Sequence, residues 1–416
     1  MIKIGRIGCI SLFFCLTLFS SGHADDSGRI ENLEKKVAEL QDIVQQLVEE
    51  NKALRAAPPA GQPLPQASAH FPAAAAPAVA DGSRPPKLEL RGFGHVQYDI
   101  SRQSDKTDDT KSDTNHFTVG GVDLFITSRL TDQIRFLNET LFEFDSSGGA
   151  RLDVERVLLK YDISEKFKIS IGRGHTALGY WGQTFHHGQW LMTTVDRPTL
   201  YNWEDDGGIL PAHYVGLEFS GTIEAPGGEL NYISNVANGR GTITDHVQLI
   251  QDGNDSKMIS GILTYKPEAV SGLGFGGTLL FDLIPAKPGT AGRAQEIDEF
   301  IYGPHVFYRE EPYEFLAEML GIDHYNRDTG LKYKTYGAYA QVGYKIKKYK
   351  PYFRFDWLRV TDSDPFYTGL AEDEVSYTTG LRYDLTTWNA IKAEYRFVDS
   401  DQKEKNEVTI QSSFSF

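Results

Sequence analysis

Residues 389–398 read NAIKAEYRFV, and this stretch decides the fold. Ile391, Ala393, Tyr395 and Phe397 share one side of an extended chain, while Lys392, Glu394 and Arg396 share the other. A period of two belongs to a β-strand, whose successive side chains point to opposite faces. Here one face is apolar and aromatic and the other is charged. The pattern recurs along the chain. On 374–385, Val375, Tyr377, Leu381, Tyr383 and Leu385 oppose Arg382 and Asp384. On 350–359, Phe353, Phe355 and Trp357 oppose Arg354 and Asp356. Sixteen such runs, rich in Tyr, Phe, Val and Gly, extend from 88–100 and 116–129 to 405–416. Short turns alternate with longer loops, the latter including 101–115, 176–212, 238–257, 284–296 and 360–373. Charge in a bilayer is costly, so the charged face must line a wet lumen. An even strand number and alternating connection lengths predict an all-β fold over 87–416, a sixteen-stranded antiparallel transmembrane β-barrel with its short turns periplasmic. A soluble sandwich would need two groups of strands facing each other, and no such grouping is visible.

The segments before the barrel are of other kinds. Lys3 and Arg6 precede an apolar run over 7–19, and Ser21-Gly22-His23-Ala24 follows with small residues suited to cleavage. This reads as a signal peptide over 1–24. The run is too short for a helix crossing a core of about 30 Å. Both cysteines, Cys9 and Cys15, fall within it. Removing Lys3 and Arg6 takes the formal net charge from −15 to −17 and leaves no thiol for a disulfide or a metal. An exported chain without disulfides fits a bacterial envelope, and the acidic balance argues against a nucleic-acid partner.

From residue 30 the chain reads IENLEKKVAELQDIVQQLVEENKALRAA. Ile30, Val37, Val44 and Asn51 fall seven apart, and Leu33, Leu40, Leu47 and Leu54 follow each by three. Four unbroken heptads predict an α-helical coiled coil over 25–57. Val and Ile at a with Leu at d lean towards two strands. Residues 58–86, with proline at 58, 59, 63, 65, 72, 77, 85 and 86 among Ala, Gly and Ser, read as an extended linker.

Sixteen strands enclose an aqueous channel rather than a filled interior. Arg354, Arg382 and Arg396 lie on three successive strands and form a candidate basic ladder; Lys160 and Lys168 add charge elsewhere. The longest loop reads ALGYWGQTFHHGQWLMTTVDRPTLYNWEDDGGILPA from residue 177. Trp181, Trp190, Trp203 and Tyr180 make it too aromatic for a solvated loop, so it is expected to enter the lumen. Glu204, Asp205 and Asp206 would then face the arginines across a constriction. The alternatives are an acidic run on the outer surface and arginines merely paired with Asp356, Asp384 and Glu394. His175, His186, His187 and His213 lie in or beside the loop, but His186 and His187 diverge if extended, and no local ligand spacing occurs. No metal site or other cofactor is therefore expected. No GxSxG or comparable nucleophile motif is present, so an enzyme is not expected either.

The heptads of 30–54, the proline-rich linker, the opening strand LELRGFGHVQYDI and the terminal QSSFSF together give an architecture that resembles the DcaP-like trimeric outer-membrane porins. The phosphate-selective porins are similar too, though no lysine-rich constriction is found here. The resemblance implies a homotrimer in the outer-membrane lipid, with its coiled coil in the periplasm, passing small hydrophilic and mainly anionic solutes. The seam chemistry alone favours a dimer, and that conflict stays open. Two other functions fit a barrel with this N-terminus: the sheath of a porin–cytochrome electron conduit, and an envelope tether touching peptidoglycan.

Overall fold

The computed structural model describes residues 87–108, 110–144, 149–186, 188–202, 208–244, 251–367 and 369–416. The expected signal peptide, coiled coil and linker, with the seam residues from Ile30 to Leu54, lie outside the described residues.

The first eight strands are β1 (Leu88–Asp105), β2 (Lys111–Arg129), β3 (Ile134–Phe144), β4 (Ala150–Ser164), β5 (Phe167–His175), β6 (His213–Ala225), β7 (Gly228–Ala237) and β8 (Met258–Pro267). The remaining eight are β9 (Leu273–Ile284), β10 (Ile297–Glu310), β11 (Tyr313–Asn326), β12 (Lys332–Tyr344), β13 (Tyr349–Arg359), β14 (Glu374–Asp384), β15 (Asn389–Ser400) and β16 (Lys403–Ser415). Each pairs antiparallel with the next, and β16 returns to β1 to close a sixteen-stranded barrel. Between β5 and β6 the chain forms one short helix, α1 (Tyr180–Thr184), and one 3₁₀ turn, Thr199–Tyr201.

Polarity is inverted relative to a protein that folds in water. Phe281, Ile410, Tyr395 and Leu263 stand exposed on the outer face, while Arg354, Lys392, Thr378 and Gln411 are fully buried inside. This is the alternation read from 389–398, with the apolar face presented to a surrounding apolar medium.

One detail corrects the sequence reading. Residues 101–105 and 111–115, expected in a loop, are strand: Ser101 pairs with Thr114 and Gln103 with Ser112, leaving a hairpin over 106–110. The composition there is polar on both faces, so no period of two marks it, yet the backbone ladder continues unbroken. The Gly-rich segment of β1 also acquires a reason. A Cβ on Gly92 would lie 2.4 Å from the Phe416 ring, and one on Gly94 would lie 2.8 Å from the Phe414 ring. The glycines leave room for these two rings at the closure seam, where Gly92 and Phe416 exchange backbone hydrogen bonds of 2.9 and 3.0 Å.

Candidate channel lumen

The described parts of the loop over 176–212 lie within the barrel and hydrogen-bond to wall strands from β7 to β15. Its entry is fixed by the Ala177 N–H donating to Asn235 Oδ1 at 2.6 Å. The Tyr180 and Trp181 N–H groups then donate to the Glu318 carboxylate on β11 at 2.5 and 2.8 Å. The same carboxylate accepts from the Tyr201 hydroxyl at 3.1 Å and the Tyr339 hydroxyl at 2.8 Å. Further along, the Val195 N–H donates to Glu394 at 2.8 Å and the Thr199 N–H to Asp356 at 3.1 Å. At the exit, Arg240 donates to the Gly208 and Ile209 carbonyls at 2.8 Å each.

Apolar packing supports these anchors. Leu178, Trp181, Met192, Leu200 and Leu210 of the loop are buried together with Leu280, Ile301, Leu316, Leu320, Tyr339 and Leu358 of the wall. Burial is worth about 25 cal/mol per Å² removed from water, so several large side chains hold the loop more firmly than its polar contacts alone. Gly337 makes room for this: a Cβ there would sit 2.5 Å from Leu200 Cδ1. The lumen wall is therefore not uniformly charged. In the strands EFLAEMLGI and GFGGTLLFDLI the inner face mixes Leu316, Leu320, Leu280 and Ile284 with Glu314, Glu318, Thr278 and Asp282, because it meets a loop rather than water.

The three arginines occupy different positions. Arg354 and Arg396 flank Thr378 at one level of the sheet, whereas Arg382 aligns with Lys350 and Lys392 nearer the short turns. Arg354 is fully buried beneath the loop. It donates to Thr194 Oγ1 at 3.0 Å, the Asp196 carbonyl at 2.7 Å, the Arg197 carbonyl at 3.0 Å and Asp356 at 2.8 Å. Arg382 donates to the Trp190 and Met192 carbonyls at 2.8 Å each, and its guanidinium lies 4.9 Å from the Trp190 ring centroid. Lys392, the register partner of Arg382, donates to the carbonyls of Gln189 and Thr194 at 2.5 and 2.7 Å. These cations hold loop backbone. Arg396 donates to Thr199 Oγ1 at 2.9 Å and Glu374 at 3.1 Å, and it lines a cavity of about 350 Å³ beside Asp196, Glu394 and Glu407. Glu204, Asp205 and Asp206 lie outside the described residues.

The larger of the two, about 690 Å³, lies against β1 to β6. Lys87, Arg129, Arg135, Arg156 and Lys160 line it, with Glu89 and Glu218 as its only carboxylates. Lys160 was legible as a lumen charge; Arg129 and Arg135 stand at the ends of β2 and β3 beside their turn, and Arg156 follows a bulge in β4. This bulge falls opposite Glu139 and Thr140, which pair with Arg156 and Val154 and leave Glu155 as the extra residue. Both Glu155 and Arg156 consequently reach the interior: Glu155 meets His186 and His213, and Arg156 pairs with Glu139. The expectation of no metal-binding group weighed only residues close in sequence. The fold brings Glu155, His175, His186 and His213 together, with one potential ligand atom from each lying within 4.8 Å of the others. His187 lies outside the described residues.

No family model matches the chain, and no curated protein does. Solved structures do. The outer-membrane channel DcaP of Acinetobacter baumannii superposes with a TM-score of 0.57 at 13% identity, covering 80% of this chain and 98% of that one. An anion-selective porin from Comamonas acidovorans gives 0.55 at 12% identity, over 79% of this chain and all of the other. OmpF of Salmonella typhi gives 0.51 at 10% identity, over 80% and 98%. At such identities the likeness speaks for the backbone alone, and it extends over the whole barrel. The chain has the sixteen-stranded fold of the outer-membrane porins, DcaP and the anion-selective porin among them.

Proposed function

We propose that the protein is an outer-membrane porin that passes small, preferentially anionic solutes by passive diffusion, working as a homotrimer with its N-terminal coiled coil in the periplasm. The observation that carries this reading is the cavity of about 690 Å³, whose lining holds five basic residues and two carboxylates, with Asp132, Asp162 and Glu139 pairing with Arg129, Arg135 and Arg156. Low-dielectric walls strengthen the field of such charges on a passing ion. Arginine suits the task because its charge is permanent and its fork fits carboxylates and phosphates. In this reading Arg396 contributes directly to the constriction, while Arg354 and Arg382 shape it by holding the loop. Glu204, Asp205 and Asp206 remain candidates for the opposing face. The DcaP resemblance supports the trimer, and the heptad seam supports association through the N-terminal segment, its chemistry leaning towards two strands.

The loop weighs against a cytochrome sheath, since the cavities beside it suit small solutes rather than a protein. A peptidoglycan contact would belong to the N-terminal segments and is compatible with transport. The test is the zero-current potential of the purified protein in planar bilayers under a salt gradient. Arg156→Ala with Lys160→Ala is expected to shift it towards cation preference, more at low salt than at high salt because mobile ions screen the wall. An unchanged potential would remove these residues from the pathway.

A further inference from the structure

We propose that Glu155, His175, His186 and His213 form a binding site for a divalent transition-metal ion that staples the inserted loop to the barrel wall. The four come from separate elements. Glu155 is the extra residue of the β4 bulge, so its carboxylate turns inward beside Arg156. His175 ends β5 and His213 begins β6, and the two are direct register partners across that pair. His186 follows α1 inside the loop, and its ring stacks on that of His175 with centroids 3.5 Å apart and planes 20° apart. The Glu155 carboxylate meets His213 Nε2 and lies 3.5 Å from His186 Nε2, and all four side chains are at most 8% exposed.

Three imidazoles and one carboxylate, without a thiolate, suit zinc, copper, nickel or ferrous iron rather than calcium or magnesium, which prefer all-oxygen shells. A tetrahedral ion with bonds of about 2.0–2.1 Å holds its ligand atoms roughly 3.4 Å apart. From separations of at most 4.8 Å, closure asks for movements of about 1.5 Å or less, within reach of side-chain torsions. A further carboxylate stands nearby: Glu139 Oε2 lies 3.7 Å from His175 Nε2 and is itself paired with Arg156. Three of the ligands belong to the wall and one to the loop, so the ion would cross-link the point where the loop leaves the sheet. It would also place positive charge beside the basic cavity, which His175 lines.

Zinc is the probe. The full chain, purified in detergent and stripped with a chelator, should take up one zinc ion per chain and keep it through desalting. His186→Ala and Glu155→Gln should each weaken binding at least about tenfold, since even outer-shell losses cost that much. Heat-modifiable migration on gels checks that each variant remains a folded barrel. Cobalt offered to the wild-type protein should give the intense visible bands of a four-coordinate ion, a readout that needs no variant. Absence of retained zinc, retention unaltered by His186→Ala in a folded barrel, or a pale six-coordinate cobalt spectrum would each overturn the site.

Discussion

Replacing Arg354 by Met should loosen the inserted loop without opening the barrel. The side chain keeps its approximate volume, so the change removes charge and hydrogen bonds rather than leaving a large cavity. Four partners lose a donor: Thr194 Oγ1, the carbonyls of Asp196 and Arg197, and Asp356, all in a region where Arg354 is fully buried. Breaking a buried pair from one side costs about 3–5 kcal/mol, chiefly through the charge left behind. At tenfold per 1.4 kcal/mol, the population of the opened loop should rise roughly 140- to 3,700-fold. The barrel carries no cysteine, since Cys9 and Cys15 are the only two, so a single reporter is clean. Val195→Cys suits the purpose: the position is 1% exposed and lies between the loop residues that Arg354 holds. When reclosing is fast, the rate of thiol labelling follows the opening equilibrium. Labelling of Val195→Cys with and without Arg354→Met therefore reads the effect directly. A rise below about tenfold would refute the reasoning, because it would mean that the buried guanidinium carries little of the loop's attachment.

The same reporter tests packing. Gly337→Val would push a side chain into Leu200, 2.5 Å from the added Cβ, and overpacking of about 1–3 kcal/mol should raise labelling in the same direction. At the closure seam, Gly94→Val would displace the Phe414 ring and lower the temperature at which the barrel loses its compact migration on gels. Deleting residues 25–57 should weaken the trimer while leaving each barrel folded, which cross-linking in mild detergent would register; a trimer of unchanged stability would assign assembly to the barrel walls alone.

The strand pattern was readable because the barrel repeats one rule in strand after strand. Lys392 and Arg396 could be assigned inward from their neighbours without knowing what they touch. What they touch was not readable. Arg354 and Lys392 resemble pore charges in sequence, and their role as holders of loop carbonyls depends on residues some 160 and 200 positions away. The apolar inner face at Leu316 and Leu320 left a trace, a strand without alternation, but such a run is equally compatible with burial on either side. Of the histidine cluster, His175, His186 and His213 stood out beside the loop, but Glu155 and the meeting of all four did not. Residues 155, 175, 186 and 213 share no local spacing, and they meet through a bulge, a strand pair and a loop. Polar extensions of β1 and β2 were missed for a simpler reason, since outside the apolar band a strand has no chemical need to alternate.

The seam between β1 and β16 also constrains the order of assembly. Neighbouring strands meet across a few residues, whereas Thr409 and Asp99 hydrogen-bond across 310. Joining chain ends costs about (3/2)RT ln n, so making this contact first would cost roughly 5 kcal/mol, against some 2.5 kcal/mol for a hairpin spanning about 20 residues. Adjacent hairpins should zip first and shorten the effective gap before the ring shuts. Until that step, β1 and β16 both present unpaired backbone amides and carbonyls, which hydrocarbon cannot solvate. A barrel stalled one strand short would therefore have two adhesive edges, and its natural partner would be the edge of another unfinished copy.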